Sequence, residues 1–393
     1  MFESLKLQPK DKIMELMNKF SNDKRLEKID LGVGVYKNQF GKTPVMRSVK
    51  KAEKNLLNKQ QSKSYVGLSG SEDFLENINN LIFSRNVDKE RIVSIQAPGG
   101  TGAIHQLFNL IKKTNFVNKV LIPKPSWPNH LAILKHLNIG YGEYFYFDEK
   151  NCEVNFERMV HDINNAEKGD IILLHGCCHN PTGANLTKKN WEDLSEIFLN
   201  KNLLPFIDIA YQGFGDGLDK DVLGLRTLCN NLPEILVAAS CSKNFGVYRD
   251  RVGSAIVISK NKYTSTVVKD NLKSLNRLTY SFPPDHGAAV VNEVLSDKIL
   301  LSDWQSELEA MRLDMLEIRV SLSDALKQQT KSSRFDFIKS HRGMFSRLGL
   351  EKKQVDLLRE KFGIYMVSDS RINIAGLQKN NIHFVASSIA SVI

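Results

Sequence analysis

Short, uninterrupted apolar runs punctuate this chain, and each stops at a cluster of Gly, Pro, Ser or Asn. The run Ile235 to Ala239, closed by Ser240, is too short and too continuous for a half-exposed helix. It fits a strand buried on both faces of a parallel sheet. It breaks into Ser-Cys-Ser-Lys-Asn-Phe-Gly, and a second run, Ala255 to Ile258, follows shortly after. Upstream the same layout recurs. VSIQAPGGTGAIHQLFNLI reads as a strand, a glycine-rich turn and a helix whose apolar positions are Ile104, Leu107, Phe108 and Ile111. VLIPKPSWPNHLAIL repeats strand, turn and helix; Ile171 to Leu174 is a third strand, and NLLPFIDIAYQGFG supplies a fourth. Strands alternating with helices predict an α/β fold. From Trp304 the apolar positions change period: Trp304, Leu308, Met311, Met315, Ile318, Leu322 and Leu326 are spaced by three and four, which predicts a long amphipathic helix. A shorter amphipathic helix is expected around Ile13, Leu16, Met17 and Phe20.

A chain of 393 residues predicts two domains rather than one core. Repeats, low-complexity tracts and Pro/Ser-rich linkers are missing, so the domain break is expected in space rather than in a disordered connector. No apolar run approaches the ~20 residues that cross a bilayer, and the polar N-terminus suggests neither signal peptide nor anchor. The five cysteines, with Cys177 and Cys178 adjacent, form neither a disulfide framework nor a CxxC metal pattern. A cytoplasmic protein without a metal site is the expectation. The net charge of +10 is spread over separated lysines such as Lys50, Lys54, Lys59 and Lys63. That pattern reads as a solvated basic surface rather than a nucleic-acid or membrane footprint.

Several positions carry candidate chemistry. Lys243, at the end of a buried strand among small and hydroxylated residues (Ser240, Ser242), either begins a surface loop or is a desolvated amine suited to attack carbonyls. The turn Pro98-Gly99-Gly100-Thr101-Gly102 serves either a phosphate or a tight turn. Asp208, inside an apolar run, needs a partner for its carboxylate. Gly99, Trp127, Asn180, Asp208 and Lys243 all fall at the carboxyl ends of predicted strands, the edge at which open α/β sheets bind ligands.

The stretch SCSKNFGVYRDRVG resembles the cofactor-lysine signature of class I aminotransferases that use pyridoxal phosphate, in the form found in aspartate aminotransferases and the related aromatic amino acid aminotransferases. The resemblance extends over nearly the whole chain. It implies a fold-type-I α/β architecture: a large domain (41–303) with a mostly parallel seven-stranded sheet flanked by helices, and a smaller α+β domain (1–40 and 304–393). It implies pyridoxal 5'-phosphate held by Lys243 as a Schiff base. Gly99, Gly100, Thr101, Ser240, Ser242 and Arg251 would form the phosphate cup, and Asp208, braced by His130, would meet the ring nitrogen. Asn180 and Tyr211 would bond the ring oxygen, and Trp127 would stack on the ring. Gly34, Trp127, Asn180, Arg371 and Arg277 would contact the substrate, and Tyr65 and Arg277 would reach in from the second subunit of a homodimer. Ser64 and Phe282 stand where aspartate enzymes carry asparagine, Arg347 replaces a neutral residue, and Arg249 replaces an asparagine without an assigned role. Three readings follow: aspartate/2-oxoglutarate transamination, the same chemistry extended to tyrosine and phenylalanine, and a non-enzymatic basic scaffold. The last predicts loss of the lysine or its helpers, and all are present.

Overall fold

The structure is a computed structural model that describes every residue except 1, 8–10, 85, 86, 115 and 117. Its centre is a seven-stranded sheet built from β1 (Ile92–Pro98), β2 (Val120–Lys124), β3 (Tyr141–Phe145), β4 (Ile171–His175), β5 (Leu204–Ile209), β6 (Ile235–Ser240) and β7 (Val252–Ile258). The spatial order is β1-β7-β6-β5-β4-β2-β3. β7 runs antiparallel to both β1 and β6, and every other neighbouring pair is parallel.

The continuous apolar runs follow from burial on both faces. In β6, Leu236 and Ala238 join a core with Ile104, Leu107 and Phe108 of the helix Gly99–Lys112. The alternate residues Ile235, Val237 and Ala239 join the opposite core with Ile78, Ile82 and Leu225. Successive side chains of a strand point to opposite faces, so a strand between two helical layers has no polar face to offer. Each fully buried Leu or Ile contributes about 1.5–3 kcal/mol, which makes the sheet the rigid reference for the loops at its edge.

The helix Lys298–Thr330 buries Trp304, Leu308, Met315, Ile318, Leu322 and Leu326 as its period predicts. Beyond it, β8 (Phe345–Arg347) pairs antiparallel with β9 (Arg371–Asn373). Ile29–Asp30 pairs in parallel with Ile364–Tyr365, which ties the N-terminal segment to the C-terminal one. The helix Lys12–Asn22 forms where the spacing of Ile13, Leu16, Met17 and Phe20 predicts one. It buries Leu16 and packs Phe20 on Tyr365, while Ile13 lines a cavity and Met17 is 38% exposed. Among the described residues no helix is long and apolar enough to cross a membrane.

Candidate active site

Lys243 sits three residues past β6 in a short turn leading to β7. The turn is anchored by the two residues that follow the lysine. Trp304 Nε1 donates to the Asn244 carbonyl (2.7 Å), and Phe245 stacks on the Trp304 indole with centroids 4.4 Å apart. Among the described residues the Lys243 amine makes no hydrogen bond or ion pair; it lies 4.8 Å from the centroid of the Tyr211 ring. Burial lowers its pKa to about 8, against the opposing pull of the Asp208 charge.

Asp208 occupies the penultimate position of β5, inside the strand rather than just past its end as the sequence pattern suggested. Pleat alternation puts it on the same face as Phe206, next to His175 of β4. His130 Nε2 lies 3.0 Å from Asp208 Oδ2, and His130 Nδ1 lies 2.9 Å from Ser126 Oγ. An ionised carboxylate only accepts, so Nε2 carries the proton. Burial by itself would raise the Asp208 pKa, but the His130 bond and the nearby positive charges hold it below the usual carboxylate value. The buried His175, by contrast, is pushed down to about 3 by desolvation, and its Nδ1 accepts from the Asn180 N–H at 3.2 Å.

Lys243, Asp208 and His175 share one cavity of about 260 Å³, lined also by Gly34, Gly100, Thr101, Trp127, Asn180, Tyr211, Ser240, Ser242, Arg251 and Arg371. At one end the helix Gly99–Lys112 begins. Gly99 has φ +72°, and a Cβ there would lie 2.6 Å from an Arg251 guanidinium nitrogen, so only glycine lets that arginine approach the helix start. Arg251 also donates to Ser242 Oγ (3.3 Å) and to the Tyr248 carbonyl (3.0 Å). Unpaired amides at a helix start, serine hydroxyls and a guanidinium make a phosphate cradle. At the other end Arg371 is only 5% exposed. It donates to Asn180 Oδ1 (3.3 Å) and the Gly32 carbonyl (2.9 Å), and it lies 4.4 Å from the centroid of the Phe345 ring. Its Nε is unpartnered, and among the described residues no carboxylate pairs with it. An isolated strand arginine is ordinarily an exposed edge charge; this one is a buried cation awaiting an anion.

The donor set fits pyridoxal phosphate. Asp208 has Oδ2 committed to His130 while Oδ1 has no partner among the described residues, which suits a ring N–H. The cradle suits the phosphate, and a lone, desolvated lysine amine suits the aldehyde. His130 supports Asp208 from behind and Gly99 supports Arg251; neither lines the cavity directly. Tyr65 and Arg277 are not brought to it. Tyr65 is 83% exposed and stacks on Phe282 (4.7 Å), and Arg277 bonds Ser281 Oγ (2.6 Å) with its guanidinium 5.6 Å from the Phe282 ring.

The structure adds Ile13, His175, Cys177, Tyr248 and Phe345 to the lining. His175 carried a readable signal, a polar residue ending a buried strand beside Asp208; Phe345 and Ile13 carried none, because apolar residues look alike in a core and in a cavity wall.

A pH prediction follows from the lysine. In cofactor-free protein, acylation of Lys243 by an amine reagent, followed by peptide mass spectrometry, should rise with pH to a midpoint near 8. An unperturbed lysine would give a midpoint near ~10.4. The neutral amine is the nucleophile, so reactivity grows as pH passes upward through the pKa. In Asp208→Asn the midpoint should fall further, since the carboxylate charge is what holds the proton on. A midpoint above 10 would refute the desolvated amine.

Residues 27–389 match the family described as aminotransferase class I and II. The chain is 47% identical over 392 residues to the aromatic-amino-acid aminotransferase of Paracoccus denitrificans, covering 100% of each. It is 39% identical over 396 residues to the aspartate aminotransferase of Escherichia coli K12, again covering 100% of each. Among solved structures, the aromatic-amino-acid aminotransferase of Burkholderia pseudomallei, covalently bound to pyridoxal phosphate, superposes with a TM-score of 0.97. It is 38% identical, with 100% of this chain and 99% of that one covered.

Proposed function

We propose, for a chain that belongs to the class I and II aminotransferase family and so works with pyridoxal phosphate, that it moves the amino group of L-aspartate to 2-oxoglutarate, giving oxaloacetate and L-glutamate. The observation that carries the transaminase chemistry is the buried Arg371 guanidinium, paired with no carboxylate among the described residues and sharing one cavity with Lys243 and Asp208; the choice of aspartate rests on the proposed role of Arg277 and on the 39% identity to an aspartate aminotransferase. A carboxylate is the partner that such a fork takes bidentately.

When bound, pyridoxal phosphate supplies an aldehyde for the substrate amine and a ring that draws electrons from the substrate Cα. The remaining work falls to the chain. Gly100, Thr101, Ser240, Ser242 and Arg251 would hold the phosphate, with Gly99 leaving room for the Arg251 guanidinium. Asp208, kept ionised by His130, would hold a proton on the ring nitrogen. Asn180 and Tyr211 would bond the ring oxygen, and Trp127 would lie against the ring. Arg371 fixes the α-carboxylate, with the Gly34 backbone alongside, which orients the Cα–H bond. Lys243, with a pKa of about 8, takes and returns the proton at the substrate Cα.

Tyr65 and Arg277 complete the reading as contributions from a second copy. Their exposure, away from the cavity of their own chain, supports a two-fold dimer whose sites are shared. The division into a large unit (41–303) and a small one (1–40 with 304–393) belongs to the same proposal.

A second reading has its own support: the same chemistry on aromatic amino acids. Phe282 stacks on Tyr65 beside the Arg277 guanidinium, so the rim that would meet the substrate side chain carries an aromatic face as well as a charge. The 47% identity to an aromatic-amino-acid aminotransferase supports it too. Steady-state turnover of aspartate and of phenylalanine with 2-oxoglutarate separates the two. A phenylalanine kcat/KM equal to or above that of aspartate would remove the first reading. Phe282→Asn should raise the aspartate-to-phenylalanine ratio about ten-fold, the scale of losing one apolar contact.

A further inference from the structure

Arg319 lies on the buried side of the helix Lys298–Thr330, between Met315 and Leu322, and is 1% exposed. No carboxylate pairs with it among the described residues. All its bonds go to one short stretch of chain. Nη1 donates to the Ile338 carbonyl (3.2 Å) and Ser346 Oγ (2.7 Å), and Nη2 donates to the Gly343 and Phe345 carbonyls (both 2.8 Å). Nε has no partner. A leucine at this position would satisfy the helix period without burying a charge. A buried guanidinium solvated only by neutral acceptors costs free energy, and desolvation lowers its pKa to about 9.

The stretch it grips is also the one that meets the substrate end of the cavity. The Arg342 N–H donates to the Gly183 carbonyl (2.8 Å). Gly183 has φ +78°, and a Cβ there would overlap the Phe345 carbonyl oxygen, so the Asn180 turn and β8 are in backbone contact. The Phe345 ring then stands in the cavity wall: a Cβ at Gly34 would lie 2.9 Å from it, and the Arg371 guanidinium lies 4.4 Å from its centroid. Among the described residues the Arg371 guanidinium makes two hydrogen bonds, to Asn180 and Gly32, and the Phe345 ring is its third support.

We infer that Arg319 is a positioning residue for substrate binding: it clamps Gly343–Ser346 against the Asn180 turn, so that the Phe345 ring holds the Arg371 fork in the orientation that receives a carboxylate. The inference rests on the reading that Arg371 takes the substrate α-carboxylate. Holoenzymes carrying Arg319→Met, Arg319→Lys, Phe345→Leu and Arg371→Lys test it, with maleate as a non-reacting dicarboxylate probe whose binding is read from cofactor absorbance. Arg319→Met and Phe345→Leu should each weaken maleate and raise the aspartate KM about ten-fold, with kcat changed less than about three-fold. Arg319→Lys, which keeps the charge but not the four-way grip, should fall between; with Phe345→Leu it carries the test if Arg319→Met does not fold. Maleate affinity unchanged in folded Arg319 and Phe345 variants, but lost in Arg371→Lys, would overturn the clamp and leave the carboxylate reading standing. Unchanged affinity in Arg371→Lys would overturn both.

Discussion

Replacing Lys243 with alanine is expected to lower aspartate turnover by about 10⁴-fold, the upper end of what one positioned base supplies. The variant should still fold, and in cofactor-free form with a Tm no lower than that of the cofactor-free parent. The amine makes no hydrogen bond or ion pair among the described residues, and the turn around it is held by its neighbours, through Trp304 on Asn244 and Phe245. Deleting the amine therefore removes chemistry and a desolvation cost together, and little packing. Borohydride, which fixes a cofactor joined to lysine, should label the parent at Lys243 and leave the variant unlabelled. The same variant tests the shared site. Mixed and re-equilibrated with equal Arg277→Ala chains, it should recover about a quarter of parental activity, because half of the randomly formed dimers hold one intact site in two. No recovery on mixing would argue that each chain works alone; turnover within ten-fold of the parent would remove Lys243 from the chemistry.

The parts of this molecule that were legible in the sequence are those where burial is all-or-none. Strands covered on both faces must be apolar throughout, so β4, β5 and β6 stand out as unbroken runs, and Asp208 and Lys243 are conspicuous as the polar residues at their ends. The helix from Trp304 is legible because one core takes a regular stripe. Where a residue serves a cavity or a surface the same signals mislead. Ile13 and Met17 have helical spacing, yet one lines the cavity and the other faces outward, because their helix caps an opening. Arg371 reads as an edge charge, and Arg319 is hidden inside an apolar stripe; what keeps each arginine buried is a set of carbonyl and side-chain oxygens far away in sequence. Tyr65, Phe282 and Arg277 were legible only by resemblance, since nothing in local pattern distinguishes an exposed cluster from one that reaches a second chain.

The arrangement also explains why the charges are unevenly partnered. The end proposed for the phosphate is built from backbone and hydroxyl donors around Arg251, anchored on the sheet through Gly99 and Ser242. The end proposed for the carboxylate is carried by β8 and β9, a two-stranded pair remote in sequence from the large sheet, which meets it through Gly183 and Asn180. On the proposed reading, substitutions at the second end should act on affinity before they act on rate.

Asp208→Asn is expected to lower kcat by about 10³-fold, close to 4 kcal/mol of transition-state stabilisation. Asparagine keeps the shape but offers no negative charge, so a proton on the ring nitrogen loses the group that holds it, and electrons at the substrate Cα lose their sink. Because Arg371 and its partners Asn180 and Gly32 are untouched, maleate should bind as tightly as to the parent; the loss falls on kcat, not on carboxylate affinity. Asp208→Glu, which keeps the charge but displaces it, should recover part of the rate. Stability supplies a second readout. The folded-state pKa of Asp208 lies below its unfolded value, so its ionised form contributes stability that is present above ~3.9 and lost as pH falls through the folded value. The parent should therefore lose stability between neutral and strongly acidic pH more steeply than Asp208→Asn does. A kcat within ten-fold of the parent would show that the ring proton is held elsewhere, and matching acid profiles would show that Asp208 is not held ionised by its surroundings in the folded protein.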